Sequence, residues 1–312
     1  KILAQKYLLI DGISRTGKMM LSKIIPSLKK FEQVEYVEFI EYILAALHLK
    51  KVSFDFANSY IIQTLNEMSY NKLIARKQNF RPGDVTNSRN FQGKKMYENR
   101  FKNPEGSTAI KKILKSKNYF PLMSHDVMVH YNHFKKFKFN YKIIQIYRNP
   151  FDTIYSWYKR GWGHRFQSDL QPAGLLISYN KKLYPWYVVG KEKAWQRKNS
   201  LEKCTDIVLD IIEQSIRNHR KVKRNKNILT LSYEDFIQNT HKNLANICKF
   251  LNTKKTRRTK KILKRENCPK KYDYKKYLEK KLYIKSQVSS KIYLKICRYE
   301  KRYQNNIYNL RK

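Results

Sequence analysis

Apolar residues along this chain fall into short unbroken runs, separated by stretches in which they recur every three or four positions. Residues 7–11 (YLLID) read as a buried strand. A helix over 18–30 is expected directly behind the loop that follows, with Pro26 placed to kink or end it. Residues 33–40 alternate like a second strand, and 41–50 and 57–77 have helical spacing. The stretch 80–108 is polar and carries Gly83, Gly93, Gly106, Pro82 and Pro104, which predicts a surface loop or lid. Residues 119–123 form a short strand candidate, and 141–147 (YKIIQIY) give the clearest strand of all, with a helix from about Asp152. Residues 161–185 look irregular; 201–220 then reads as helix, 228–232 as strand and 241–251 as helix.

Strands alternating with helices predict an α/β fold, a three-layer, doubly wound and mainly parallel sheet. In such sheets ligands sit beyond the carboxyl ends of the strands. We expect one α/β domain over 1–252 and a basic, helical C-terminal extension over 253–312 packed on it. The formal net charge is +43, from 67 Lys and Arg against 24 Asp and Glu. Residues 253–312 hold 22 basic and 4 acidic residues, so the extension concentrates that charge. A Lys-, Asn- and Tyr-rich composition also follows from an AT-rich genome, so the charge by itself does not name a partner; a nucleotide, a polyanionic glycan, a nucleic acid or an anionic membrane all fit it. The four cysteines (Cys204, Cys248, Cys268, Cys297) form no CxxC pair, which leaves no zinc or redox motif. No run approaches the roughly 20 apolar residues of a membrane span. No secretory signal is visible, so a cytoplasmic location is expected; a segment preceding Lys1 would move that expectation to a secretory lumen.

Two segments carry chemistry. Gly12 to Lys18 spells GxxxxGK between a strand and a helix, the frame of a phosphate-cradling loop. Backbone N–H groups of 14–19 and the positive end of the following helix would hold a phosphate or sulfate, with Arg15 and Lys18 adding charge. A nucleotide hydrolase needs Ser or Thr next, to ligate Mg²⁺; here Met19 offers a thioether, a poor partner for a hard cation. The second segment is RNPFDTIYSWYK, 148–159. Arg148 leaves a strand, Pro150 stiffens the first helical turn and Asp152 is placed to cap it. Ser156 follows Arg148 by eight residues, about two helical turns, so both can reach one phosphate. Each segment alone is also compatible with an ordinary strand-to-helix turn.

Together, strand–SRTG–helix and strand–RNPFDxxxSWY resemble the sulfotransferases that use 3′-phosphoadenosine 5′-phosphosulfate. A third element, ILTLSYEDF with the helix NLANICKFL, resembles that family's late strand–YED–helix segment. The resemblance spans about 7–251 and leaves 42–118 and 160–225 unmatched. It implies a metal-independent fold with Ser14, Arg15, Thr16, Gly17, Lys18 and Met19 around the 5′-phosphosulfate, Arg148 and Ser156 on the 3′-phosphate, and Tyr233 near the adenine. Arg15 stands where many members have a catalytic Lys and others, like the tyrosylprotein enzymes, have Arg. Lys18 stands where Thr is commoner. Cytosolic members also close on the 3′-phosphate with an R-K-G segment, whereas 267–281 here is only basic.

The segment YFPLMSHDVM resembles the family's K-T-H stretch, which implies His125 as the base that takes the acceptor proton; Met123 replaces the companion Lys. His130 and His133 compete with it by position, and Glu38, Glu41 or Glu67 would serve if a carboxylate is the base. Trp157, Trp162, Trp186 and Trp195 suit core packing better than an acceptor pocket. His164 and Arg165 sit in a loop placed to face the acceptor. The implied reaction moves a sulfuryl group in line to a hydroxyl or amine of an unknown acceptor, a glycan or other polyanion being compatible; no nucleic acid is expected. A P-loop kinase using ATP and Mg²⁺, or a non-catalytic anion-binding protein on the same fold, are the alternatives.

Overall fold

The computed structural model describes residues 2–4, 6–88, 94–163, 174–222 and 225–309. In chain order its elements begin with β1 (Tyr7–Asp11), α1 (Lys18–Ile24) continued by a 3₁₀ turn (Ile25–Ser27), β2 (Glu35–Tyr36), α2 (Glu38–His48) and α3 (Phe54–Leu73). There follow α4 (Lys94–Arg100), α5 (Ser107–Lys115), β3 (Phe120–Met123), α6 (Tyr131–Phe134), β4 (Tyr141–Tyr147) and α7 (Pro150–Tyr158). The chain goes on through β5 (Leu176–Tyr179), β6 (Lys182–Pro185), α8 (Glu192–Gln196), α9 (Ser200–Lys221), β7 (Ile228–Ser232), α10 (Tyr233–Gln238) and α11 (Thr240–Leu251). Three helices, α12 (Arg257–Arg265), α13 (Tyr274–Gln287) and α14 (Ser290–Asn309), complete it.

Five strands form one parallel sheet in the order β2-β3-β1-β4-β7. Because alternate residues of a strand point to opposite faces, β1 divides its side chains. Leu8 and Ile10 pack with α1, α11 and α12 on one face, while Tyr7 and Leu9 pack with α2, α3 and α6 on the other. A further core beside the sheet joins α7, α9, α13 and α14 through Phe151, Trp157, Ile207, Tyr277, Ile284 and Tyr303. β2 and β3 lie on one side of β1 and β4 and β7 on the other, so the first loop and the segment after β4 meet beyond the carboxyl ends of two adjacent parallel strands.

Several expectations need correction. The strand expected over 33–40 shrinks to Glu35–Tyr36, because Ile40, Ile43, Leu44 and Leu47 supply helical spacing and α2 starts at Glu38. The helix expected over 18–30 stops at Ile24 and tightens into a 3₁₀ turn around Pro26. The 80–108 loop contains α4, and α5 follows at once, its Ala109 and Ile113 buried four residues apart. Within 161–185, β5 and β6 form a separate antiparallel hairpin. The cap of α7 is Asn149, whose side chain accepts from Phe151 N; Asp152 instead receives Tyr272 Oη–H at 2.6 Å and pairs with Lys280.

Candidate functional site

The loop after β1 is held from beneath. Thr16 Oγ1 donates to Ile13 O at 2.8 Å, and Trp157 Nε1, from α7, donates to Ser14 O at 3.0 Å. Gly12 has φ of 145°, and a Cβ there would lie 2.3 Å from Ile146 O of β4. Gly17 has φ of 101°, and a Cβ there would lie 2.4 Å from Tyr233 Cδ2. Both glycines are therefore demanded by conformation and by close approach. Arg15 also takes a left-handed conformation, at φ of 73°, a cost that loops tolerate when the surroundings fix it. Lys18 is buried, and its ammonium is turned back on the loop's own carbonyls, donating to Ile13 O at 2.7 Å and to Gly12 O. Burial pushes that ammonium down to about 8, against the opposing charges of Asp11, Asp126 and Glu41. Lys18 thus braces the loop from inside. Met19, exposed on the first turn of α1, lines the cavity above.

The second segment meets the first. Arg15 Nε donates to Ser156 Oγ at 3.0 Å, and Arg148 Nη1 donates to Arg15 O at 3.0 Å. The Arg148 guanidinium also lies 4.6 Å from the centre of the Tyr233 ring, the ring that fills the space over Gly17. Arg148 Nε is buried with no hydrogen-bond partner among the described residues. Three elements far apart in sequence therefore converge on one point. Behind them Glu234 Oε1 accepts from Asn149 N at 2.9 Å, while its other oxygen accepts from Ser232 Oγ and Tyr303 Oη. Asn149 Nδ2 donates to Glu300 of α14 at 2.7 Å.

Across the loop, the turn after β3 presents His125. Asp11, fully buried at the end of β1, fixes that turn by accepting from Ser124 Oγ at 3.0 Å, Val127 N at 3.2 Å and Met128 N at 3.0 Å. Glu41 Oε1 receives both the backbone N–H of His125 and its Nδ1, each at 2.7 Å. Tyr36 Oη lies 3.1 Å from the same Nδ1. Burial, reinforced by the charge on Lys18, holds the imidazole well below its ordinary range. Burial also holds the Glu41 carboxyl well above its own. A neutral imidazole with Nδ1 engaged leaves Nε2 as the atom able to exchange a proton.

Ser14, Arg15, Gly17, Lys18, Met19, His125, Arg148 and Tyr233 share one cavity of about 640 Å³. A family model described as a sulfotransferase domain matches residues 6–298. This chain belongs to the sulfotransferase family. Its solved relatives are distant. It is 10% identical to the sulfotransferase domain from the curacin biosynthetic pathway, covering 82% of this chain and 76% of that one at a TM-score of 0.43. It is 13% identical to a sulfotransferase from Alicyclobacillus acidocaldarius, covering 80% and 81% at 0.38. A retinol dehydratase, in complex with androsterone and inactive cofactor PAP, is 10% identical over 83% and 62% at 0.33. No curated protein sequence matches.

The remaining candidates of this sulfotransferase sort by position. Glu67 is exposed on α3, paired with Lys77, and does not line the cavity. His130 is buried against Trp186 and, with His133, belongs to a different cavity alongside Asp210 and Glu213. Trp162 lines the main cavity, whereas Trp186 and Trp195 are core. His164 and Arg165 lie outside the described residues. Sequence reasoning missed Tyr36, Lys23, Asp84–Thr86, Arg160, Glu266 and Lys270 as cavity walls. Only Lys270 had a signal, the basic stretch 267–281. Cys268 Sγ contacts Met20 Sδ at 3.5 Å and so holds this stretch against α1.

Proposed function

We propose that the protein transfers a sulfuryl group from 3′-phosphoadenosine 5′-phosphosulfate to a hydroxyl or amine acceptor. The observation that carries this reading is the convergence of Arg15, Ser156 and Arg148, linked at 3.0 Å, beneath a cavity that His125 enters from the far side. Two anion-binding elements side by side fit a nucleotide that carries charge at two places. Arg148 and Ser156 take the 3′-phosphate and so favour this donor over ATP. The loop N–H groups and Arg15 face charge that develops on the sulfuryl and bridging oxygens, a fixed guanidinium suiting a tetrahedral anion. His125 Nε2 accepts the acceptor proton as the acceptor oxygen or nitrogen bonds to sulfur and the bridging S–O bond breaks. Glu41 is a positioning residue: it orients the imidazole and favours the N–H on Nδ1. As in phosphoryl transfer, positioning and charge stabilisation supply most of the effect.

Calorimetry with 3′,5′-phosphoadenosine, beside ATP with Mg²⁺, tests the reading on wild type and Arg148→Ala. Loss of one charge-assisted hydrogen bond of about 1.5–3 kcal/mol predicts binding weakened about 10- to 150-fold in the variant. Preference for ATP, or affinity unaffected by Arg148→Ala, would overturn it.

A further inference from the structure

The inner face of α13 is firmly fixed. Tyr277 and Ile284 are buried, Phe151 of α7 packs edge-on to Tyr277, and Lys281 pairs with Glu300 at 2.7 Å. The exposed side carries Lys275, Lys276, Glu279 and Ser286, as a solvated helix does, but it also carries an apolar stripe. Tyr274, Leu278 and Leu282 recur at i, i+4 and i+8 and are 62%, 41% and 66% exposed. Lys285, at i+11, continues the same stripe, and Lys275 borders it. Five lysines and one acidic residue, Glu279, make up the charge of the helix.

We propose that the outer face of α13 docks on an anionic membrane surface, lying flat on it without spanning it. Leucines interleaved with lysines match an interface that is apolar within and negative at its headgroups, and each half of that pattern would be unused by other partners. A nucleic acid would engage the lysines and leave the leucines wet. A second copy of this chain would cover the leucines but bring together two extensions that each carry a net charge of +18. The anchor residues hold the face outward on α7, the helix that carries Ser156, so docking would set the candidate site beside the membrane.

Co-sedimentation with vesicles of phosphatidylcholine, with and without roughly 30% phosphatidylserine, tests this on the full chain. The wild type should partition to the anionic vesicles only. The doubly substituted L278S/L282S should bind them at least about tenfold more weakly, because it loses apolar insertion. Substitution of Lys275 and Lys285 by Gln should weaken binding as well. Both variants should keep the wild-type affinity for 3′,5′-phosphoadenosine, which certifies their fold. Since the whole protein is basic, non-specific attraction is the competing explanation; it predicts that L278S/L282S binds like wild type and that about 0.5 M salt abolishes all binding equally. Either of those results would overturn the proposal. So would a concentration-dependent dimer in sedimentation equilibrium that L278S/L282S dissolves.

Discussion

Replacing Glu41 by Gln is the sharpest test of how the candidate base is built. Gln keeps the shape of the side chain and an oxygen to accept, but removes the negative charge on which both His125 N–H groups converge at 2.7 Å. A hydrogen bond to a charged group contributes about 1.5–3 kcal/mol and a neutral one about 0.5–1.5, so two such bonds lose about 2–3 kcal/mol together. If that loss falls on the transition state, where the imidazole gains its proton, turnover drops about 30- to 150-fold. The KM for the donor should stay unchanged, because Glu41 lies across the loop from Arg148 and Ser156. The assay is release of 3′,5′-phosphoadenosine under saturating donor, with any acceptor that the wild type turns over, followed across pH. In the wild type the rate should rise with pH as the Glu41–His125 pair gives up its shared proton; burial holds the Glu41 carboxyl high, so that limb lies above the ordinary carboxylate range. Glu41→Gln should flatten it. Full turnover in the variant, or a loss expressed only in donor KM, would refute the argument.

Three further outcomes follow from the site and the core. Arg15→Ala should reduce turnover by about 10²–10³ if its guanidinium acts as a preorganised charge donor, and wild-type turnover would remove it from the mechanism. Gly17→Ala should destabilise the fold by about 1.5–3 kcal/mol in urea unfolding, since a left-handed backbone costs about 1–2 kcal/mol and the displaced Tyr233 ring gives up its contact with Arg148 at about 0.5–1; an unchanged midpoint would contradict the 2.4 Å approach. Acid should destabilise the protein through His219, which burial pushes down to about 4. Its folded pKa lies below the unfolded value of about 6.5, so the unfolded chain binds the proton first and stability falls as pH drops from about 6.5 toward 4, by about 3 kcal/mol from this residue. Denaturant titrations of His219→Gln over that range should lose about that share of the slope, the buried His125 and His130 supplying the rest.

The parts of this molecule that the sequence disclosed are those whose cause is local. β1 and β4 are unbroken apolar runs, and the loops behind them are spelled by glycines and by Arg148-Asn149-Pro150, so both halves of the candidate site could be read directly. β2 was legible in place but not in length, because Val34 and Tyr36 alternate like a strand while the helical spacing that begins at Ile40 takes over the chain. His125 was legible as a candidate, yet its partner was one glutamate among three; only the fold brings position 41 within 2.7 Å of position 125. Lys18 was legible as a departure from the expected Thr, but that its ammonium would turn inward onto Gly12 and Ile13 depends on the buried carboxylates below it. Asp11 gave no signal, and Glu234 was legible only as part of the YED segment and not for its role, because their partners are backbone amides and hydroxyls that the fold brings to them.

The backbone of Asn149 rests on Glu234, which Tyr303 also holds, and the Asn149 side chain rests on Glu300. A growing polypeptide that has emerged from the ribosome only as far as α13 already contains both candidate anion-binding segments, yet lacks the two side chains that steady the turn after Arg148. Capacity for the nucleotide should therefore arise abruptly, only once α14 is free to dock. A nascent chain stalled before position 300 and one stalled well beyond it would differ in retention on an immobilised 3′,5′-phosphoadenosine resin, and that difference would time the assembly of the site.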